Sequence, residues 1–128
     1  MQRIAVTGAA GFIGRAVTAH LAASGIEAVP FDLPAHDIRH PLDLGDAAHV
    51  IHLAGVLGTS ELFARVTEAL EVNVIGTANV LTAALDAGAG YTGITMPPVF
   101  PSVYTASKIA GRELERAFRH AGLPGSCQ

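Results

Sequence analysis

The sequence predicts an α/β fold, a parallel sheet with helices on both faces, from three observations. A short apolar strand, Ile4-Ala5-Val6, runs into the glycine-rich turn Thr7-Gly8-Ala9-Ala10-Gly11-Phe12-Ile13-Gly14, which opens a helical pattern. A second apolar strand, Ile26 to Phe31, ends in Asp32. Strand-like and helix-like stretches then keep alternating along the chain without an internal repeat.

Each element follows from its residues. Val17, Leu21 and the alanines between them carry the first helix to Ser24-Gly25, a natural stop. After Asp32, the stretch Leu33 to Pro41 is too broken by proline for a long helix, and the short Leu42-Asp43-Leu44-Gly45 follows, so a crossover helix is expected to be missing here. His49 to Gly55 reads as a buried parallel strand whose carboxyl end faces the ligand side. Residues 62–85 read as a helical run carrying Val72, Ile75, Asn79 and Leu81, ended by Gly88 and Gly90. Tyr91 to Met96 is a short strand stopped by Pro97-Pro98, and a last helix starts near Ser102, its expected cap, with Ile109, Leu114 and Phe118 on one face.

Composition narrows the function classes. The chain has 128 residues, 50% of them hydrophobic, and a net charge of -3, which suits one globular core and offers no broad basic surface for nucleic acid. The single cysteine, Cys127, can make neither an internal disulfide nor a metal cluster, so no metal is expected and a reducing cytoplasm is the natural location. No apolar run approaches membrane-spanning length.

The chemistry sits in the turn and in the last helix. A strand, a tight glycine turn and a helix start make a seat for a diphosphate, because the helix offers free N–H groups and a positive dipole end. Gly8 suits unusual backbone angles, Gly11 lets backbone approach the pyrophosphate, and Gly14 lets the helix lie close on its sheet. Asp32 stands where a dinucleotide fold places the carboxylate that accepts the adenosine ribose hydroxyls, favouring NAD over NADP; a plain turn cap is the alternative. In the last helix Tyr104 and Lys108 stand four apart, on the same side. An ammonium there lowers the tyrosine pKa towards neutrality, fitting Tyr104 to exchange a proton with a substrate hydroxyl or carbonyl, while Lys108 can donate to the nicotinamide ribose.

With these motifs in order, the chain resembles the extended short-chain dehydrogenase/reductase family, in its NAD-dependent epimerase/dehydratase branch, and the expected fold is Rossmann-like. Thr7 to Gly14 is similar to the TGxxGxxG nucleotide motif, and Asp32, followed by Leu33, falls at the ribose-binding acid. Asp37-Ile38-Arg39 resembles the start of the DxRD-type adenine segment, with His40 in place of the final acid; Asp43 to Asp46 is the competing placement. His52-Leu53-Ala54-Gly55 resembles the HLAA-type strand end that lines the cofactor. Val72-Asn73-Val74-Ile75-Gly76-Thr77 resembles VNxxGT, whose asparagine is mainly a structural bridge, and Tyr104 with Ser107 and Lys108 resembles YxxSK.

The resemblance implies an NAD-dependent nucleotide-sugar epimerase or dehydratase. In that chemistry Tyr104 removes a proton from a sugar hydroxyl while NAD takes hydride from the same carbon, and Thr95, ahead of Thr92 and Ser102, is the hydroxyl that holds the substrate oxygen. It further implies a homodimer through helices around Val72 to Leu85 and Thr105 to Ala121, with Ala106, Ala110 and Ala117 permitting close approach and Leu114 and Phe118 adding apolar contact. Residues 1–128 are expected to form a partial NAD-binding domain, incomplete at the carboxyl end, with the substrate domain absent. The alternative function is a catalytically inactive dinucleotide-binding or structural fragment.

Overall fold

The computed structural model describes residues 2–58, 60–95, 97 and 100–124; Met96, Pro98 and Cys127, which entered the sequence reading, lie outside them. Four strands, β1 (Arg3–Thr7), β2 (Glu27–Phe31), β3 (His49–His52) and β4 (Gly90–Gly93), form one parallel sheet in the order β2-β1-β3-β4. The chain leaves β1 towards β2 on one side and later returns to add β3 on the other. Between β1 and β3 the direction of winding therefore reverses, which in parallel sheets opens a crevice at the strand carboxyl ends.

Side-chain alternation along the strands divides the core in two. Val6 faces Leu21 and Val17 of α1 (Phe12–Ala23), whereas Ala5, Phe31 and Val50 face the opposite layer with Val80, Leu81 and Ala84. Val6, Val50, Val80 and Leu81 are wholly buried, and each such side chain contributes about 1.5–3 kcal/mol. The segment between β2 and β3 contains no helix, as expected. Ile38, Leu44 and Ala47 from this loop are buried in the second layer, standing in for a helix face. Asn79 fixes the loop by donating its side-chain amide to the Ile38 carbonyl at 2.8 Å.

Three elements differ from expectation. The third strand ends at His52 rather than Gly55: the Leu53 amide is shared between the Thr7 carbonyl at 3.2 Å and the Thr7 hydroxyl at 3.0 Å, and the Ala54 amide turns onto that hydroxyl at 3.1 Å. The strand expected over 91–96 spans Gly90–Gly93. The helical run is a 3-10 turn at Ser60–Ala64, then α2 (Val66–Leu70), a π-helical segment at Glu71–Ile75 and α3 (Gly76–Ala87). Such π segments shift the helix phase locally, and this one carries the buried Asn73.

The last helix, α4 (Val103–His120), starts where the sequence placed it. Ser102 caps it by accepting the Thr105 N–H at 3.0 Å. Leu114 and Phe118 pack on this chain's own core, while Ala106 and Ala117 are exposed. No helix among the described residues is long and apolar enough to cross a membrane, and no cluster of potential metal ligands occurs among them.

Candidate functional site

A cavity of about 550 Å³ opens at the crevice between β1 and β3. The turn after β1 contributes Gly8, Gly11, Phe12, Ile13 and Gly14; the segment after β2 contributes Asp32, Leu33, Asp37 and Ile38. Leu53, Ala54 and Gly55 enter from the end of β3, and Tyr104 and Lys108 from α4. One cavity thus gathers these residues, whereas His52, first of the strand-end segment, borders a second recess.

The turn is built by steric necessity. Gly8 takes φ +69, and a Cβ there would lie 2.8 Å from the Ala54 nitrogen, so the turn rests directly on the β3 end. A Cβ on Gly14 would stand 2.0 Å from the Gly8 carbonyl oxygen and 2.8 Å from Ala9 backbone. The close approach at Gly14 is therefore to the turn itself rather than to the sheet, correcting the sequence expectation. No side chain caps α1 at Gly11, which leaves its first-turn amides to the cavity. Uncapped amides beside a turn with glycine at Gly8, Gly11 and Gly14 fit a diphosphate.

The Asp32 carboxylate makes a structural tie and keeps acceptor capacity to spare. Its oxygens accept the Ala10 N–H at 2.6 Å and the Leu33 N–H at 2.8 Å, so it ties the glycine-rich turn to the β2 end. Each oxygen retains a lone pair for a ribose hydroxyl. Asp37 clasps Arg39, accepting from its backbone amide at 3.0 Å and its guanidinium at 2.6 Å, and is held at about 2 by those hydrogen bonds. Asp46, from the competing placement of the adenine segment, instead pairs with Arg3 at the far end of β1.

Tyr104 and Lys108 both reach the cavity, but their electrostatics differ from expectation. Burial pushes the Tyr104 phenol up and the Lys108 ammonium down. The pKa of His52 is lowered by burial and, after that, by the nearby Lys108 ammonium. The i,i+4 spacing put both groups on one side without fixing the ammonium's direction. Thr95 is exposed and borders a small polar recess beyond Lys108 rather than the main cavity. Thr92 is engaged with His49, at 2.7 Å.

Behind the cavity lies a polar spine. Asn73 accepts the Val56 N–H at 2.7 Å, donates to the Val56 carbonyl at 2.9 Å, and donates to the Ser107 hydroxyl at 3.0 Å. Ser107 in turn donates to the Tyr104 carbonyl at 2.8 Å. Asn73 is thus the structural bridge that the motif implied. Motif reading missed His36, Arg39, Leu57, Glu68 and Ile94, which also line the cavity. The signal for Arg39 was its place in Asp37-Ile38-Arg39; the others carry no local pattern.

Burial lowers the His52 pKa from 6.5 to about 3, with Lys108 adding to the shift. The unfolded chain then takes up the proton first, so this histidine's contribution is complete above pH 6.5 and is lost as pH falls from there towards 3. Urea melts should show lower stability near pH 5 than near pH 7, above the carboxylate range, and His52→Asn should flatten that slope; an unchanged slope counts against it.

Comparison with known proteins follows the same lines. Residues 4–94 match the NAD dependent epimerase/dehydratase family. The chain is 38% identical over 88 residues to a GDP-6-deoxy-D-mannose reductase of Pseudomonas aeruginosa, covering 64% of this chain and 29% of that protein. It superposes on MoeE5 in complex with UDP-glucose and NAD with a TM-score of 0.84 and 27% identity, over 94% of this chain and 50% of the other. A short-chain dehydrogenase/reductase superfamily protein from Agrobacterium tumefaciens with bound NAD gives a TM-score of 0.83 and 26% identity, over 95% and 46%. The chain spans about half the length of these solved structures and less than a third of that curated relative.

Proposed function

The chain belongs to the NAD-dependent epimerase/dehydratase family, and from that premise we propose that residues 1–128 are the NAD-binding part of an enzyme acting on nucleotide-linked sugars. The observation that carries the reading is the convergence of the glycine turn, Asp32, Tyr104 and Lys108 on one cavity. The turn amides would hold the diphosphate, Asp32 the adenosine ribose and Lys108 the nicotinamide ribose. Bound NAD supplies the redox chemistry; the chain's own part is positioning and proton transfer. Tyr104, a phenol kept protonated by burial, would pass its proton to or from the reacting oxygen of the sugar.

The reaction class is an epimerisation or dehydration, and the reductase relative extends it to reduction of a keto sugar by the same groups. UDP-glucose in the MoeE5 complex supports a nucleotide-sugar substrate. The proposal includes a homodimer that uses the exposed Ala106 and Ala117 face of α4, and a cytoplasmic location that suits a chain with one cysteine.

Calorimetric titration tests the cofactor reading. NAD should bind more tightly than NADP, whose added phosphate meets the Asp32 carboxylate. Asp32→Ala should weaken NAD by roughly tenfold or more and narrow the difference, since it removes both the ribose acceptor and the tie to Ala10. Equal affinities in the unmodified chain would overturn the preference. Product formation with UDP-, GDP- and dTDP-linked sugars then separates an enzyme from a nucleotide binder without turnover.

A further inference from the structure

His52 is a buried titratable group that the proposed chemistry does not use, only 3% exposed on the last residue of β3. Both ring nitrogens are engaged: Nδ1 lies 2.7 Å from the Thr7 hydroxyl and Nε2 3.0 Å from the Thr77 hydroxyl. The proton positions follow from the partners beyond. Thr77 donates its one hydroxyl proton to the Asn73 carbonyl at 2.7 Å, and a carbonyl can only accept. Towards His52 the Thr77 oxygen is therefore an acceptor, and Nε2 carries the proton. Nδ1 of the neutral ring keeps a lone pair, which takes the Thr7 O–H. The remaining lone pairs of the Thr7 hydroxyl receive the Ala54 amide at 3.1 Å and the Leu53 amide at 3.0 Å, the latter shared with the Thr7 carbonyl at 3.2 Å. Every donor along Thr7, His52 and Thr77 then has one acceptor, and the chain of bonds runs in a single direction.

We propose that His52 is a positioning residue: a neutral imidazole, protonated on Nε2, that orients the Thr7 hydroxyl and so fixes the backbone of residues 53–54 beneath the glycine-rich turn. The link to the turn is short, because a Cβ on Gly8 would already touch the Ala54 nitrogen and Leu53 carbonyl carbon. A movement of this backbone therefore moves the diphosphate seat. Protonating Nδ1 would aim an N–H at a hydroxyl whose lone pairs are both occupied. Around the ring, β4 presents Tyr91, at a centroid distance of 6.0 Å, and α4 presents Lys108, with Arg112 and Glu115 bordering the same recess. The Thr7 side and the α3 side present hydroxyls alone, at Thr7 and Thr77.

The consequence for cofactor binding rests on the NAD-binding reading, whereas the tautomer does not, so two measurements separate them. Long-range ¹⁵N correlation spectra of the labelled full chain, with the His52 signal assigned by its loss in His52→Asn, should show the Nε2–H tautomer unchanged from about pH 7.5 to about pH 5. An Nδ1–H tautomer, or an imidazolium in that range, overturns the proposal. His52→Phe removes both bonds and should weaken NAD by about tenfold, the equivalent of one net hydrogen bond. In His52→Asn the new amide oxygen can replace Nδ1 as acceptor for Thr7, so this variant should recover most of that loss. In His52→Gln the amide nitrogen replaces Nε2 alone, so the loss should remain. Equal NAD affinities for the folded Phe and Asn variants overturn the proposed role. If the unmodified chain binds no NAD, the cofactor reading fails while the spectra still decide the state of His52.

Discussion

Gly14→Ala is expected to abolish measurable NAD binding and to lower stability by roughly 1–3 kcal/mol or more, the range for overpacking a tight site. Helix propensity alone points the other way, since alanine in a helix interior is favoured over glycine by about 0.8–1.0 kcal/mol. Sterics decide the sign. The new methyl would stand 2.0 Å from the Gly8 oxygen and 2.8 Å from the Ala9 Cα and carbonyl carbon, all backbone atoms with no flexible side chain to yield. Relief requires opening the turn, and the turn carries the amides assigned to the diphosphate. Gly25→Ala is the control. Its φ of +76 strains any side chain, yet open space surrounds a Cβ there, so it should cost stability of order ~1 kcal/mol and leave NAD affinity alone. Thermal melts and calorimetry on both variants test the contrast; Gly14→Ala with native affinity would defeat the steric account.

The same steric logic explains what the sequence could reveal. Gly8 and Asp32 were legible because a strand, a glycine turn and an acid at the next strand end are local patterns with one mechanical use. The missing crossover helix was legible from Pro34 and Pro41. The π-helical segment was not, because the apolar spacing from Leu62 to Leu85 runs on without interruption. Its only trace is Asn73, a polar residue in an apolar run, whose amide is buried because it bonds Val56 and Ser107 from distant elements. The early end of β3 was hidden for a related reason. Leu53 and Ala54 continue a strand pattern, and the Thr7 side chain takes the Ala54 amide out of the ladder while sharing the Leu53 amide with the Thr7 carbonyl. Tyr104 and Lys108 show the limit of spacing arguments: four residues apart sets the side of the helix, but burial pushes the phenol up and the ammonium down.

Tyr104→Phe should lower turnover by about 10²–10⁴-fold, the usual contribution of a positioned acid or base, with NAD affinity nearly unchanged. Phenylalanine keeps the ring against the cavity and removes only the oxygen that carries the proton. Lys108→Ala should reduce both turnover and NAD affinity, because it deletes the donors assigned to the nicotinamide ribose. Lys108 is the chain's single lysine, so one labelled ammonium signal reports its pKa directly, expected below the usual value because of burial. The raised Tyr104 pKa sets the sign of the pH dependence. Where the phenol must accept a proton, as in oxidation of a sugar hydroxyl, turnover should rise as pH climbs towards that pKa. Where it must donate one, as in reduction of a keto sugar, the protonated form is already dominant at neutral pH, and turnover should hold until the pKa is reached. Rate profiles in the two directions should therefore slope apart above neutrality in the unmodified chain. Tyr104→Phe should remove the difference along with the rate, and undiminished turnover in that variant would defeat the proton-transfer role.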